Sequence, residues 1–311
     1  MIVSPYLLAS SLTPADIGRR VVVRHHLPDG SATDVLGELE SYAESLAVRR
    51  RDGSVAVVPA VDVLAGKVVP ATWARDAAVG ELQRIASDGW PALERERLGG
   101  WELRAAGGWT KRANSLLPIG SPGVPLDAAL IAVRSWYAAR GLPAVVLVPL
   151  PLCEALDDEL SARGWALGTA VDVLVADLPR IRRHPGIDVV VADHPSDDWL
   201  RTFPDASPVG ERVLDSGRAV FASAVVDGVT VGGVRGSLDE RWLGITALNV
   251  ATAHRRRGIA RALVSSVADW AAHRGARHAY LQVERDNAAA QALYAEQGFT
   301  FHHSYVYRVA P

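Results

Sequence analysis

The sequence predicts an α+β protein, with helices packed on a mixed sheet, and three observations carry that prediction. Residues 243–299 alternate strand, basic glycine turn, helix, strand, polar turn and helix. A similar helix–strand–helix alternation occurs between residues 126 and 165. Before both, residues 1–70 consist of short strand-like runs separated by turn signals, the texture of a small β-barrel. Length agrees with this division, because 311 residues exceed what one ordinary domain holds and leave ample chain for buried cores.

Composition narrows the function classes. A net charge of −2 gives no global basic field, so nucleic acid is an unlikely partner. The longest apolar run, Ala144–Leu152, is short and broken by prolines, far below a membrane span. Met1–Pro5 lacks the charged start of a secretory signal, so the expectation is a soluble, cytoplasmic protein. Cys153 is the single cysteine, and the nine histidines show no H-E-x-x-H spacing; no metal site is expected.

Taken in order, Arg20–Arg24, Asp34–Leu39, Leu46–Arg49 and Val55–Val58 read as strands of an SH3-like barrel. Pro28-Asp29-Gly30 and Arg51-Asp52-Gly53 read as its turns, the second a tight hairpin, and Pro70-Ala71-Thr72 as the linker out. His25-His26 and Arg49–Arg51 could form a binding patch, although solvated strand faces explain them as well. Trp73–Leu98 follows a helical pattern with Val79, Leu82 and Ile85 on one stripe. Trp101–Arg104 and Trp109–Arg112 read as a hairpin about Gly107-Gly108, and Leu126–Arg140 as an amphipathic helix stopped by Gly141. A buried strand over Ala144–Val148 and a helix over Cys153–Arg163 complete the middle segment.

The stretch that bears chemistry runs from Leu248-Asn249-Val250, a strand end, through Arg255-Arg256-Arg257-Gly258-Ile259-Ala260-Arg261 into a helix. A turn of this kind points unpaired N–H groups of the first helical turn one way, with the positive end of the helix dipole behind them. An anionic diphosphate is the usual occupant. Gly258 permits close backbone approach, and Ala260 keeps it open. A helix from Ile259 to Arg274, a strand over Ala279–Val283 and a helix begun at Asn287 and ended by Gly298-Phe299 follow.

In that order, Arg255-x-x-Gly258-x-Ala260, Asn287 and Leu293-Tyr294-x-x-x-Gly298-Phe299 resemble the GNAT N-acetyltransferase superfamily. The resemblance is clearest from Ile187 to the end. It implies acetyl-CoA as the donor, a diphosphate held by the 255–261 loop, and a splayed strand at Leu248, Asn249 and Val250 that bonds the acyl and pantetheine amides. It also implies that Asn287 bonds the cofactor and that Tyr294 is the acid for the departing thiolate. Helix N-capping by Asn287 is an alternative or additional role.

Laid over the C-terminal half at one ungapped offset of 134, the middle segment places Trp136 on Trp270, Arg140-Gly141 on Arg274-Gly275, Leu147 on Leu281 and Gly164-Trp165 on Gly298-Phe299. The reading is two tandem GNAT-like folds, residues 71–180 degenerate and 181–311 catalytic, behind the barrel at 1–70. Opposite the 255–260 loop stands Ser121-Pro122-Gly123-Val124-Pro125-Leu126, whose prolines remove two N–H donors. Cys153 and Leu160 stand opposite Asn287 and Tyr294. This arrangement is similar to that of mycothiol synthase and related tandem acetyltransferases.

A base must deprotonate the attacking amine. Glu284, just past the 279–283 strand, and Asp239-Glu240, on the turn before the splayed strand, are candidates, as is a water chain. Arg112 and Asn114, at a strand end, would point toward the acceptor cleft, with a satisfied hairpin as the alternative; Trp199 and Phe203 are expected on a short helix that roofs the acceptor site in this family, where core packing is the commoner explanation. The partners implied are acetyl-CoA and an amine acceptor, small molecule or protein. A non-catalytic acyl-CoA sensor that engages a partner through its barrel is the alternative.

Overall fold

The computed structural model describes residues 12–50, 54–68, 76–178, 181, 186–203, 207–239 and 241–311. The Arg51–Gly53 turn, the 70–72 linker and Glu240 lie outside them. The chain divides into two compact units, Met1–Thr72 and Trp73–Pro311.

The first unit is a five-stranded antiparallel sheet: β1 (Arg20–His26), β2 (Ala32–Tyr42), β3 (Ser45–Arg49), β4 (Val55–Pro59) and β5 (Val63–Val68), in the order β4-β3-β2-β1-β5. Alternate residues Val21, Val23, Val35, Leu39, Leu46, Val48, Val58 and Val63 point inward and form its core. The first four strands fall where the sequence pattern put them. The fifth escaped because Gly66 and Lys67 interrupt its apolar alternation.

In the second unit, α1 (Asp76–Gly89) leads into a hairpin of β6 (Glu94–Leu98) and β7 (Trp101–Ala105). Then come α2 (Leu126–Ala138), β8 (Val145–Leu150), α3 (Glu154–Ala162) and β9 (Ala166–Asp177). The C-terminal half adds β10 (Asp188–Ala192), α4 (Asp197–Arg201), α5 (Pro208–Leu214), β11 (Ala219–Val226), β12 (Val229–Asp239) and β13 (Trp242–Val250). It closes with α6 (Ile259–Ala272), β14 (His278–Glu284), α7 (Ala288–Glu296) and β15 (Thr300–Val309).

Two expectations fail here. The helix read over 73–98 ends at Gly89, and its last stretch, Glu94–Leu98, is a strand, exposed in alternating charges and paired to β7. That strand, and not Trp109–Arg112, is the hairpin partner of Trp101–Arg104; residues 106–115 form a loop.

Eight strands make one sheet, β10-β11-β12-β13-β14-β9-β15-β8. β9, from the middle of the chain, lies between β14 and β15, antiparallel to both, and β15 in turn pairs with β8. Each half therefore lends its last strand to the other. α6 covers one face over Val220, Val234, Leu243, Ile245, Leu281 and Val283. On the opposite face, α1 packs through Leu82 and Ala86 on Val171, Val173, Val175, Tyr280, Tyr305 and Tyr307.

Candidate active site

Three local features meet at the C-terminal end of β13. The first is a parting of strands. β13 pairs in parallel with β14 only from Trp242–Ile245 against His278–Leu281, although β13 continues to Val250 and β14 to Glu284. A bulge in β13, where Ala247 at φ 52° and Leu248 together oppose Val234 of β12, turns β13 just where the pairing ends. The backbone of Thr246–Val250 is thus free of β14 on that edge.

The second feature is the turn into α6. Thr252–His254 makes a 3₁₀ turn, Arg256 stands at φ 60°, and Gly258 caps α6 at φ 80°, a conformation that only glycine adopts without strain. No side chain caps this end. Ala262 N–H donates to the Gly258 carbonyl at 3.0 Å, so the amides of Ile259, Ala260 and Arg261 open the helix with no partner inside it. The side chains divide the work. Arg255 Nε donates back to the Val250 carbonyl at 3.0 Å and Arg261 pairs with Glu296, whereas Arg256 and Arg257 are exposed at the turn.

The third feature is Tyr294 on α7. It is buried among the cluster that holds Leu248, Val250, Ile259, Ala260 and Val283, and its ring meets Phe299 edge-on at 5.8 Å. Burial pushes its phenol up to about 12, so it keeps its proton at neutral pH. Asn287 opens the same helix as N-cap, its Oδ1 accepting from Ala290 N–H at 3.1 Å. That leaves its amide nitrogen for another partner.

The other face of β14 is polar. Tyr280, Gln282 and Glu284 alternate with the core residues Ala279, Leu281 and Val283. Tyr305 donates to Gln282 Oε1 at 2.7 Å, and Arg112 is hydrogen-bonded to Tyr305. Glu284 is exposed at the strand's open end.

Two family models match this chain. One, described as the C-terminal part of probable histone acetyltransferase Rv0428c, covers residues 76–308; the other, the Rv0428c N-terminal Sm-like domain, covers residues 15–67. The probable histone acetyltransferase Rv0428c of Mycobacterium tuberculosis is 32% identical over 302 residues, spanning 92% of this chain and 93% of that protein. The chain belongs to this acetyltransferase family. Among solved structures, a GCN5-related N-acetyltransferase from Kribbella flavida aligns with TM-score 0.58 at 17% identity, over 78% of this chain and 97% of that one. A tandem GNAT protein from the clavulanic acid biosynthesis pathway aligns with TM-score 0.52 at 16% identity, over the same shares, 78% and 97%. The protein is therefore an acetyltransferase with the fold of GNAT enzymes and a small N-terminal β unit, described in its family as Sm-like rather than SH3-like. No helix among the described residues is long and apolar enough to cross a membrane.

Within this acetyltransferase, some residues expected to touch ligands are occupied elsewhere. Asn114 accepts from the amides of Ala106 and Gly108 and donates to the carbonyls of Trp109 and Thr110, four bonds of 2.8–2.9 Å that use its whole amide. It shapes the 106–115 loop and has nothing left for an acceptor. Asp239 pairs with Trp242 at the closed end of β13, about 13 Å of strand before Thr246, too far to serve as base. Trp199 is fully buried, meeting Phe221 edge-on at 4.9 Å and donating to the Val234 carbonyl, so it is a packing residue of the core. Phe203 lies parallel to it at 6.1 Å. Tyr305 and Gln282 were missed, because a tyrosine and a glutamine inside strands look like ordinary sheet residues.

Proposed function

We propose that the chain transfers an acetyl group from acetyl-CoA to a primary amine by direct attack in a ternary complex. One observation carries this reading: the strands part at Ile245 and Leu281 beside an uncapped α6 N-terminus, with a buried, protonated tyrosine alongside. Acetyl-CoA would supply an activated acyl carbon. The amides of Ile259, Ala260 and Arg261, with Arg256 and Arg257, suit its diphosphate, and the unpaired edge of Leu248, Asn249 and Val250 suits its amides. Asn287 Nδ2 is a further donor.

Tyr294 would hold a proton for the leaving sulfur. A thiol near 8.5 cannot take that proton fully from a phenol near 12. Its role is therefore to donate a hydrogen bond as the carbon–sulfur bond breaks. Glu284, on the polar face of β14, is our choice for the group that accepts the amine's proton, directly or through water.

We also read the second unit as two copies of one fold, meeting near residue 180. α3 and α7 start at 154 and 288 and end at 162 and 296, both 134 apart, and β9 and β15 begin at 166 and 300, again 134 apart. The pairing between the last strands has the same symmetry: Thr300 faces Val175 and Val309 faces Ala166. The structural neighbour described as a tandem GNAT protein supports this reading. Only the second copy offers the loop chemistry. In the first, the β6–β7 turn occupies the corresponding place: Gly100 N–H donates to the Ser121 carbonyl at 2.6 Å, and Trp101 Nε1 donates to that of Gly120.

The acceptor is a small molecule or a protein amine; the name of the Mycobacterium relative favours protein. Tyr294→Phe tests the mechanism. Acetyl-CoA affinity should hold within about twofold, while thiol release with an accepted amine falls by about 10²–10⁴. Unchanged turnover would remove Tyr294 from the chemistry.

A further inference from the structure

Arg112 occupies a position that the acetyl-transfer reading does not explain. It sits in the 106–115 loop, partly buried, with its guanidinium 5.6 Å from the Trp90 ring and bonded to Tyr305. Its Nε is buried and has no hydrogen-bond partner among the described residues. The groups facing it are the phenols of Tyr305, Tyr307 and Tyr280, and among the described residues no carboxylate forms an ion pair with it. The two fully buried arginines differ. Arg235 spends its donors on the carbonyls of Leu214, Gly89 and Ser216, and Arg104 on Ser115 and Ser87. A cation taken out of water without a counter-charge is costly, and the cost is recovered when an anion arrives.

The location says where that anion comes from. The Arg112–Tyr305–Gln282 chain ends on β14 one residue past Leu281, where β13 lets go. It lies on the face opposite α6 and Tyr294, hence away from the diphosphate turn. Glu284 follows Gln282 by two residues on this same face, about 6.6 Å along the strand. Lys111, exposed beside Arg112, reaching Thr169 and lying over the Tyr307 ring, adds positive charge nearby. A carboxylate and an ammonium at the two ends of one small segment would complement this arrangement.

We propose that Arg112 forms a carboxylate subsite on the acceptor side of the strand opening, so that the acceptor amine carries a nearby carboxylate, as in an amino acid or an acidic residue beside a lysine. The proposal rests on the acetyltransferase reading for which side of the opening is the acceptor's. Arg112 acts in it as a specificity-determining residue, gripping the carboxylate while Glu284 faces the amine.

The test uses the full chain loaded with coenzyme A and matched probes: L-lysine with cadaverine, L-ornithine with putrescine, L-phenylalanine with phenethylamine, and lysine peptides flanked by Glu or Gln. Binding is read by calorimetry, and thiol release from acetyl-CoA is read separately. The carboxylate-bearing member of the best-bound pair should be preferred at least tenfold. Arg112→Gln should bring that ratio near one, and Arg112→Lys should keep part of it, with thermal stability and acetyl-CoA binding followed for both. A pair preference that survives Arg112→Gln overturns the proposal, as does a panel in which no carboxylate probe outbinds its partner, including one in which nothing binds. If Arg112→Gln instead selectively loses binding of succinyl-CoA relative to acetyl-CoA, the carboxylate belongs to the acyl donor and the acceptor assignment fails. Carboxylate selectivity in binding without any thiol release would sink the enzymatic reading and leave the subsite standing.

Discussion

Residues 181–311, expressed alone, should not form a stable monomer, although they include the whole proposed diphosphate turn, Tyr294 and Glu284. Cutting there removes β9, and all seven residues of β14, His278–Glu284, lose their ladder partners Val171–Asp177. β15 loses β9 and β8 together. Leu174, Ala176 and Leu178 also leave the cluster under α6, where all are buried. Two fully buried leucines alone are worth about 3–6 kcal/mol, against a total stability of about 5–15 kcal/mol for a typical domain. The core beneath α1 disappears as well. The exposed edge of β14 would seek a partner, and on the two-copy reading proposed above β15 of a second fragment is the one expected. Light scattering after gel filtration should report a dimer or aggregate, and adding residues 73–180 should restore the monomeric pair and acetyl-CoA binding. A monomeric fragment that unfolds cooperatively and binds acetyl-CoA as the full chain does would refute the reasoning.

Other perturbations separate packing from chemistry. Asn114→Ala removes the shared partner of the buried Ala106 amide, the Gly108 amide and two loop carbonyls and should cost about 2–4 kcal/mol by urea denaturation. Trp199→Ala empties a fully buried site and should cost about 3–5 kcal/mol. Burial lowers His302 to about 4 and His303 to about 3, the latter also because His302 adjoins it. Both stay neutral in the folded chain while the unfolded chain protonates near 6.5, so stability should fall as pH drops below 6.5 and keep falling towards 4. The loss approaches about 1.4 kcal/mol per pH unit for each group. Equilibrium denaturation at pH 7.5 and 5 checks it, and His303→Gln, which removes one of the groups, should flatten the slope.

The strand–turn–helix order of the C-terminal half was legible because its signals are local: Gly258 at a positive φ, a small residue at 260 and the start of α6 all lie within a few residues of one another. Strand exchange was not legible, since nothing in Ala166–Asp177 says which half of the sheet it will join; that is decided by its pairing on β14 and β15. Asn114 illustrates another limit. Its residue type suits substrate recognition as well as loop closure, and only the positions of Ala106, Gly108, Trp109 and Thr110 decide between them. β6 was hidden by its charges: Glu94-Arg95-Glu96-Arg97 has the composition of a helix surface, yet it is pinned by Glu102 and Asp88 to Arg95 beside β7.

The β6–β7 turn seated on Ser121 and Pro122 has a consequence for ligand titrations. A Cβ at Gly99 would meet the Pro122 backbone at 2.5 Å, so this plug sits backbone against backbone and cannot be pushed aside by a side-chain rotation. On the two-copy reading proposed above, each polypeptide is expected to take up a single equivalent of acetyl-CoA with a hyperbolic isotherm, and a sigmoidal response would have to arise between molecules rather than within one.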